Sequence, residues 1–292
     1  MNLYYVLFVV TYLVLHAVLD LVLLVLYPYE LLFDPIHRRV IFKVFWFYNR
    51  CVARLFFRTK ISGFRMSDVE EPVIFVCNHQ TLWDHVFCYL FGKNTPHTMM
   101  KGSIRNYPLI GFTVRAIDSL FVYSRKPGAP DTEKDPRNAE ALRKAENLLR
   151  NGVSLQIFPE GTRRWKQHQE YANIDANAAG TPSKSEQLVR MREQALDEDP
   201  ASIGPFKAGA FKLAMDTGVK IVPLLMEMRH LINDENMVAH RGTMRLHILD
   251  PVDPKQFSDV ESLTTHVHDV MQEQFRNVVT DIDAPLIQSH AK

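Results

Sequence analysis

The feature that most constrains this chain is its beginning. Leu3 to Leu26 reads LYYVLFVVTYLVLHAVLDLVLLVL, twenty-four residues broken only by His16 and Asp20. As a helix rising ~1.5 Å per residue it reaches roughly 36 Å, enough to cross a bilayer. A cleaved signal peptide is a poor match. No basic residue precedes the run, it is too long for a signal h-region, and it ends in Tyr27-Pro28-Tyr29-Glu30 without a small-residue cleavage pattern. A buried soluble helix is the other reading, because His16 and Asp20, four apart, share one helical face. The run is expected to be retained and to enter a membrane.

After Asp34-Pro35, residues 36–58 carry Arg39, Lys43, Arg50, Arg54 and Arg58 among Phe, Val, Ile and Trp. At 100° per residue these cations fall in one stripe of about 100°. Such a stripe on an apolar helix suits an interface helix on anionic lipid, although a solvated face packed on a core would read the same way. Basic residues that follow the first helix place this flank, and the body after it, on the cytoplasmic side of a membrane. Globally, 34 basic side chains against 33 acidic ones leave a net charge of +1, so no basic field calls for a nucleic acid. Cys51, Cys77 and Cys88 are an odd, irregular set, and the twelve histidines form no zinc spacing. Reduced thiols and no metal are expected.

From about Val73 short apolar runs alternate with helical stretches. Strands are expected at Val73–Cys77, His97–Lys101, Ile117–Tyr123, Val153–Phe158, Lys220–Met226 and Thr243–Leu249. Helices are expected at Leu82–Phe91, Pro108–Arg115, Arg137–Arg150, Phe206–Thr217 and Val260–Val279. The alternation predicts an α/β fold, a mostly parallel sheet flanked by helices, over residues 61–292, preceded by the membrane helix pair of residues 1–60. Residues 165–204 are polar, with a capping box at Ser183 to Glu186, and read as a lid or surface insertion.

Two loops follow strands and carry reactive groups. Asn78-His79-Gln-Thr-Leu-Trp-Asp84 offers an imidazole and a carboxylate that meet only if His79 stands in a loop and Asp84 in the first helical turn. In that arrangement the carboxylate fixes the tautomer of a base. The bland alternative is an exposed histidine and an aspartate that merely favours a helix start. Phe158-Pro159-Glu160-Gly161-Thr162-Arg163-Arg164 supplies a carboxylate, a flexible glycine and guanidiniums that fork onto phosphate, or else a plain turn with solvated arginines. Both loops lie beyond the carboxyl ends of expected parallel strands, where such sheets bind ligands.

These motifs, Asn78-His79-x4-Asp84 and Phe158-Pro-Glu-Gly-Thr-Arg163, resemble the first and third signature blocks of the glycerolipid acyltransferases, the PlsC-like family that includes 1-acyl-sn-glycerol-3-phosphate (lysophosphatidic acid) acyltransferase. Lys101 to Gly111 followed by Phe121 to Arg125 is similar to its second block, Ile221-Val222-Pro223 to its fourth, and Phe206-Lys207-Ala-Gly209 to the stretch after the third. The resemblance spans about Val73 to Pro251. It implies His79 as general base oriented by Asp84, and Glu160, Gly161, Thr162 and Arg163 with Lys101 and Arg125 around the acceptor. Val222 and Pro223 would lie near the acyl chain. Departures fall on the head-group side: Gly102-Ser103 replaces a common Glu-Leu, and Ser124 precedes Arg125 where aspartate is usual.

The expected reaction is acyl transfer from acyl-CoA or acyl carrier protein to the free hydroxyl of 1-acyl-sn-glycerol-3-phosphate, yielding phosphatidic acid. It needs no cofactor beyond the acyl donor. The partners are that lysophospholipid acceptor, the donor and membrane lipid, with no nucleic acid. Direct attack is favoured over a covalent acyl-enzyme, because Cys77 reads as a small core residue. Two alternatives stand: remodelling of another lysophospholipid, and a noncatalytic lipid-binding scaffold. A hydrolase is disfavoured by the absence of a G-x-S-x-G elbow.

Overall fold

A computed structural model describes residues 1–70, 72–88, 96–123, 135–161, 163, 203–228, 231–234 and 236–283. Arg125, Thr162 and the polar stretch 164–202, with its capping box, lie outside the described residues. The chain forms α1 (Leu3–Phe33), α2 (Arg39–Phe56), β1 (Arg58–Gly63), β2 (Ile74–Cys77), α3 (Asp84–Cys88), β3 (His97–Lys101), α4 (Ile110–Ala116) and β4 (Leu120–Val122). It continues through α5 (Pro136–Arg150), β5 (Leu155–Ile157), α6 (Gly209–Thr217), β6 (Ile221–Glu227), β7 (Ile232–Asn233), β8 (Val238–Ala239), β9 (Thr243–Ile248) and α7 (Val260–Asp283).

The sheet order is β1-β9-β6-β2-β5-β3-β4, and β6 to β4 run parallel. The direction reverses once, between β6 and β9, and β1 then follows β9 in parallel. The fold is therefore the α/β class expected, with a mostly parallel sheet covered on both faces. Central strands are apolar on both sides, as a doubly covered sheet requires. On one face Phe75, Cys77, Val222, Leu224 and Met226 pack against α1, α2 and α3. On the other, Ile74, Val76, Ile221 and Leu225 pack with residues of α5, α6 and α7.

Local chemistry fixes the helix ends. The Asn2 side chain accepts from the Tyr5 N–H at 2.9 Å, and Asp135 caps α5 by accepting from the Arg137 N–H at 3.0 Å with Pro136 in the first turn. At the α1–α2 turn, Glu30 accepts from the Val40 N–H and Asp34 from those of His37 and Arg39, so two carboxylates meet the positive end of α2.

The amino-terminal helices depart from expectation. Helix α1 continues through Pro28 to Phe33. Its buried residues Tyr5, Phe8, Tyr12, His16, Leu19, Leu23 and Glu30 make a stripe about 80° wide at 100° per residue. The opposite face, from Leu3 and Leu7 through Val14, Leu21 and Val25 to Leu32, is apolar and bare. Helix α2 buries Ile41, Phe42, Phe45, Tyr48 and Val52 in the same core as the sheet, and the boundary expected at residue 60 falls inside β1. The helix pair is thus one wall of the α/β unit. Arg58 belongs to β1, which leaves Arg39, Lys43, Arg50 and Arg54 on the helical stripe. Strand β1 and the β7–β8 hairpin were not anticipated. Five of the six β1 residues are exposed, and the strand is held by backbone pairing to β9.

Phe42 is fully buried, with its ring centroid 4.8 Å from that of His97 on β3. Phe42→Ala should lower unfolding free energy by about 3–5 kcal/mol in urea titration. A helix pair independent of the sheet would leave that transition unmoved.

Candidate active site

Backbone pairing of β2 with β6 ends at Cys77 and Leu224. Side chains then take over the ladder. Asn78 exchanges two hydrogen bonds with the Met226 backbone, at 2.9 and 2.8 Å, and Gln80 Oε1 accepts from the Met228 N–H at 3.1 Å. With Asn78 and Gln80 clipped to β6, the residue between them turns away from the sheet. That residue is His79, whose ring packs on Phe158 beyond the end of β5, centroids 4.5 Å apart.

Asp84 opens α3 and is fully buried. Its Oδ2 lies 2.7 Å from His79 Nδ1 and accepts from the Gln80 N–H at 2.6 Å. Its Oδ1 accepts from the Thr81 N–H at 3.0 Å and the Thr81 hydroxyl at 2.8 Å. A carboxylate in this position only accepts, so Nδ1 carries the imidazole proton and Nε2 is the basic nitrogen. The His79 side chain is 24% exposed, which gives the ring an open edge.

The second loop is tied to the first. Glu160 Oε1 accepts from the His79 N–H at 2.7 Å, and Oε2 from the Gly204 N–H at 3.0 Å. Burial raises its carboxyl to about 7, against the pull of those amides and of His79. With each oxygen accepting from a backbone amide, Glu160 fastens two loops together. Gly161, at φ +73°, turns the chain, and the exposed Lys207 lies across it where a β-carbon would collide. Arg163 Nη1 stands 3.4 Å from Asp234 Oδ2, with the two side chains 14% and 3% exposed. Asp234 also accepts from the Leu82 N–H at 2.6 Å, and burial holds its carboxyl above the usual range.

The structure therefore brings His79, Asp84, Glu160, Gly161 and Arg163 into one hydrogen-bonded neighbourhood. Lys101 is exposed at the carboxyl end of β3. Val222 and Pro223 are buried within β6, paired with Phe75 and Val76, behind the strand end. Sequence reasoning missed Asp234, which lies in no motif, and gave no role to Lys207. Cys77 is buried, with Gln156 donating to its sulfur at 3.8 Å. Among the described residues no His, Cys, Asp and Glu cluster could hold a metal ion.

Two buried carboxylates, Asp84 and Glu160, thus meet a histidine at the carboxyl ends of parallel strands, and the chain belongs to the Acyltransferase family, whose model matches residues 58–227. Among its relatives is the chloroplastic 1-acyl-sn-glycerol-3-phosphate acyltransferase LPAT1 of Arabidopsis thaliana, 26% identical over 239 residues, covering 77% of this chain and 52% of the relative. The 1-acyl-sn-glycerol-3-phosphate acyltransferase of Saccharomyces cerevisiae is 25% identical over 217 residues, covering 73% and 55%. The chain spans about half the length of these curated relatives. The crystal structure of PlsC, the 1-acyl-sn-glycerophosphate (LPA) acyltransferase of Thermotoga maritima, shares the fold at a TM-score of 0.59 and 21% identity, over 90% of this chain and 97% of that one.

Because the Glu160 carboxyl is raised by folding, its protonated form favours the native state. That contribution is present below the unfolded value of 4.5 and is lost as pH rises through about 7. The melting temperature of the wild type should therefore fall between pH 5 and 8 relative to Glu160→Gln. Parallel curves for the two proteins would show that Glu160 does not titrate in this window.

Proposed function

We propose that this protein transfers an acyl group from acyl-CoA or acyl carrier protein to the free hydroxyl of 1-acyl-sn-glycerol-3-phosphate, forming phosphatidic acid at a membrane surface. The observation that carries the reading is the 2.7 Å contact between His79 and a fully buried Asp84, with the His79 side chain 24% exposed. The names of the relatives supply the substrate class.

His79 Nε2 takes the hydroxyl proton as the oxygen attacks the thioester carbon, and Asp84 stabilises the imidazolium. The tetrahedral intermediate collapses with loss of the thiol. Thiols ionise near pKa ~8.5, so the leaving group needs little acid assistance. This sequence uses side chains and the acyl donor alone. Arg163, Lys101 and Arg125 are assigned to the acceptor phosphate, which matches guanidinium and ammonium chemistry. Glu160 serves by holding the His79 and Arg163 loops in register. Val222 and Pro223 are assigned to the floor of the acyl-chain site.

Location follows from α1 and α2. Helix α1 is long and apolar enough to cross a membrane. However, it is docked along its inner stripe to the body and bare on its outer face, which suits a helix lying in one leaflet with the site at the interface, on the cytoplasmic side. Arg39, Lys43 and Arg54 stay exposed on α2 beside Phe47 and Leu55, so cations and apolar groups meet the surface together.

The test is thiol release from oleoyl-CoA, and from oleoyl-acyl carrier protein, with 1-acyl-glycerol-3-phosphate or lysophosphatidylcholine as acceptor. Release should require the phosphate acceptor, and His79→Ala should lower kcat by roughly 10²–10⁴ while leaving the fold intact. Turnover with lysophosphatidylcholine alone would make the protein a remodelling enzyme, and no release with any pair would make it a scaffold.

For the membrane face, Val14→Asp, Leu21→Asp and Val25→Asp together should abolish flotation with anionic vesicles while circular dichroism stays that of the wild type. Undiminished flotation of the triple variant would place the contact elsewhere.

A further inference from the structure

Asp234 touches both halves of the site. It sits in the turn between β7 and β8, its side chain 3% exposed. One oxygen, Oδ2, accepts from the Leu82 N–H at 2.6 Å and pairs with Arg163 Nη1 at 3.4 Å. Leu82 lies between His79 and Asp84, so this oxygen bridges the turn that carries the base and the loop that carries the cation. The other oxygen, Oδ1, is buried without a hydrogen-bond partner among the described residues, so the carboxylate forgoes hydrogen bonding on one side while holding these contacts on the other.

The hairpin that presents Asp234 is itself fixed. The Asn2 N–H donates to Met237 O at 3.1 Å, Asn2 Nδ2 to Ala239 O at 2.8 Å, and the Ala239 N–H to Asn2 Oδ1 at 3.2 Å. The start of α1 thus anchors the element that holds the catalytic turn and Arg163. A carboxylate needed only to cap the turn would have no reason to stand against a guanidinium. One needed only as a counter-ion would have no reason to take the Leu82 amide.

We propose that Asp234 is a positioning residue for acceptor recognition: it orients the Arg163 guanidinium toward the acceptor phosphate and sets that cation at a fixed distance from His79. The proposal rests on the reading of Arg163 as a phosphate ligand. Substitution separates the two duties. Asp234→Asn keeps an oxygen for the Leu82 N–H and removes the charge beside Arg163, whereas Asp234→Ala removes both.

Steady-state kinetics with 1-acyl-glycerol-3-phosphate and with uncharged monoacylglycerol, beside equilibrium binding of each acceptor without thioester, provide the test. Asp234→Asn should raise KM and the dissociation constant for the phosphate acceptor about three- to tenfold, with kcat within about twofold and monoacylglycerol unaffected. Asp234→Ala should add a loss of kcat, about tenfold or more, on both acceptors. Unchanged or tighter phosphate-acceptor binding by Asp234→Asn, or an equal loss on both acceptors, overturns the proposal. If the wild type turns over no acceptor, acyl transfer fails as a reading, and the binding comparison still decides whether Asp234 positions Arg163.

Discussion

A fully buried carboxylate must find in the protein the hydrogen bonds it gave up in water, and Asp84 finds them by wrapping the residues before it around itself. Two backbone N–H groups, one hydroxyl and one imidazole converge on its two oxygens. The turn from His79 to Asp84 has little freedom left once these are made, and the His79 ring supplies one of them. Glu160 repeats the device after β5, accepting from the amides of His79 and Gly204. Solvation of two acidic groups without water therefore accounts for the shape of the site.

The sheet makes this convergence possible. Strands β2 and β5 are parallel neighbours, so their carboxyl ends open onto the same side, and Phe158 leaves β5 where His79 leaves β2. Helix α1 forms part of the core beneath this site and presents an unbroken apolar face outward. One helix thereby serves as a wall of the α/β unit on one side and leaves an apolar surface on the other. The hydrogen bonds from Asn2 to the β7–β8 hairpin extend that linkage toward Arg163.

Much of this was legible because it rests on local pattern. Apolar runs located β2, β3, β5, β6 and β9, and helical patterning located α5. The two loops stood out because both follow expected strands and carry reactive residue types. What stayed hidden depends on tertiary partners. Strand β1 reads Arg-Thr-Lys-Ile-Ser-Gly and exists because β9 offers it a backbone edge. Asp234 stands alone in the sequence and gains meaning only where the hairpin folds beside Leu82 and Arg163. The direction in which Glu160 faces is likewise set by tertiary partners, the amides of His79 and Gly204. The boundary expected near residue 60 falls inside β1, because the same apolar helices that could suit a membrane also pack one face into the core of the sheet.

The arrangement of the site turns on Asp84 fixing the tautomer of the His79 ring, with the proton on Nδ1. Nitrogen-15 NMR of histidine-labelled protein, with His79→Gln used to assign the signal, reads that tautomer directly. At a pH where the ring is neutral, the spectrum should show a protonated Nδ1 and an unprotonated Nε2, with the pattern collapsing toward an even mixture in Asp84→Ala. A wild-type ring protonated on Nε2 would contradict that assignment.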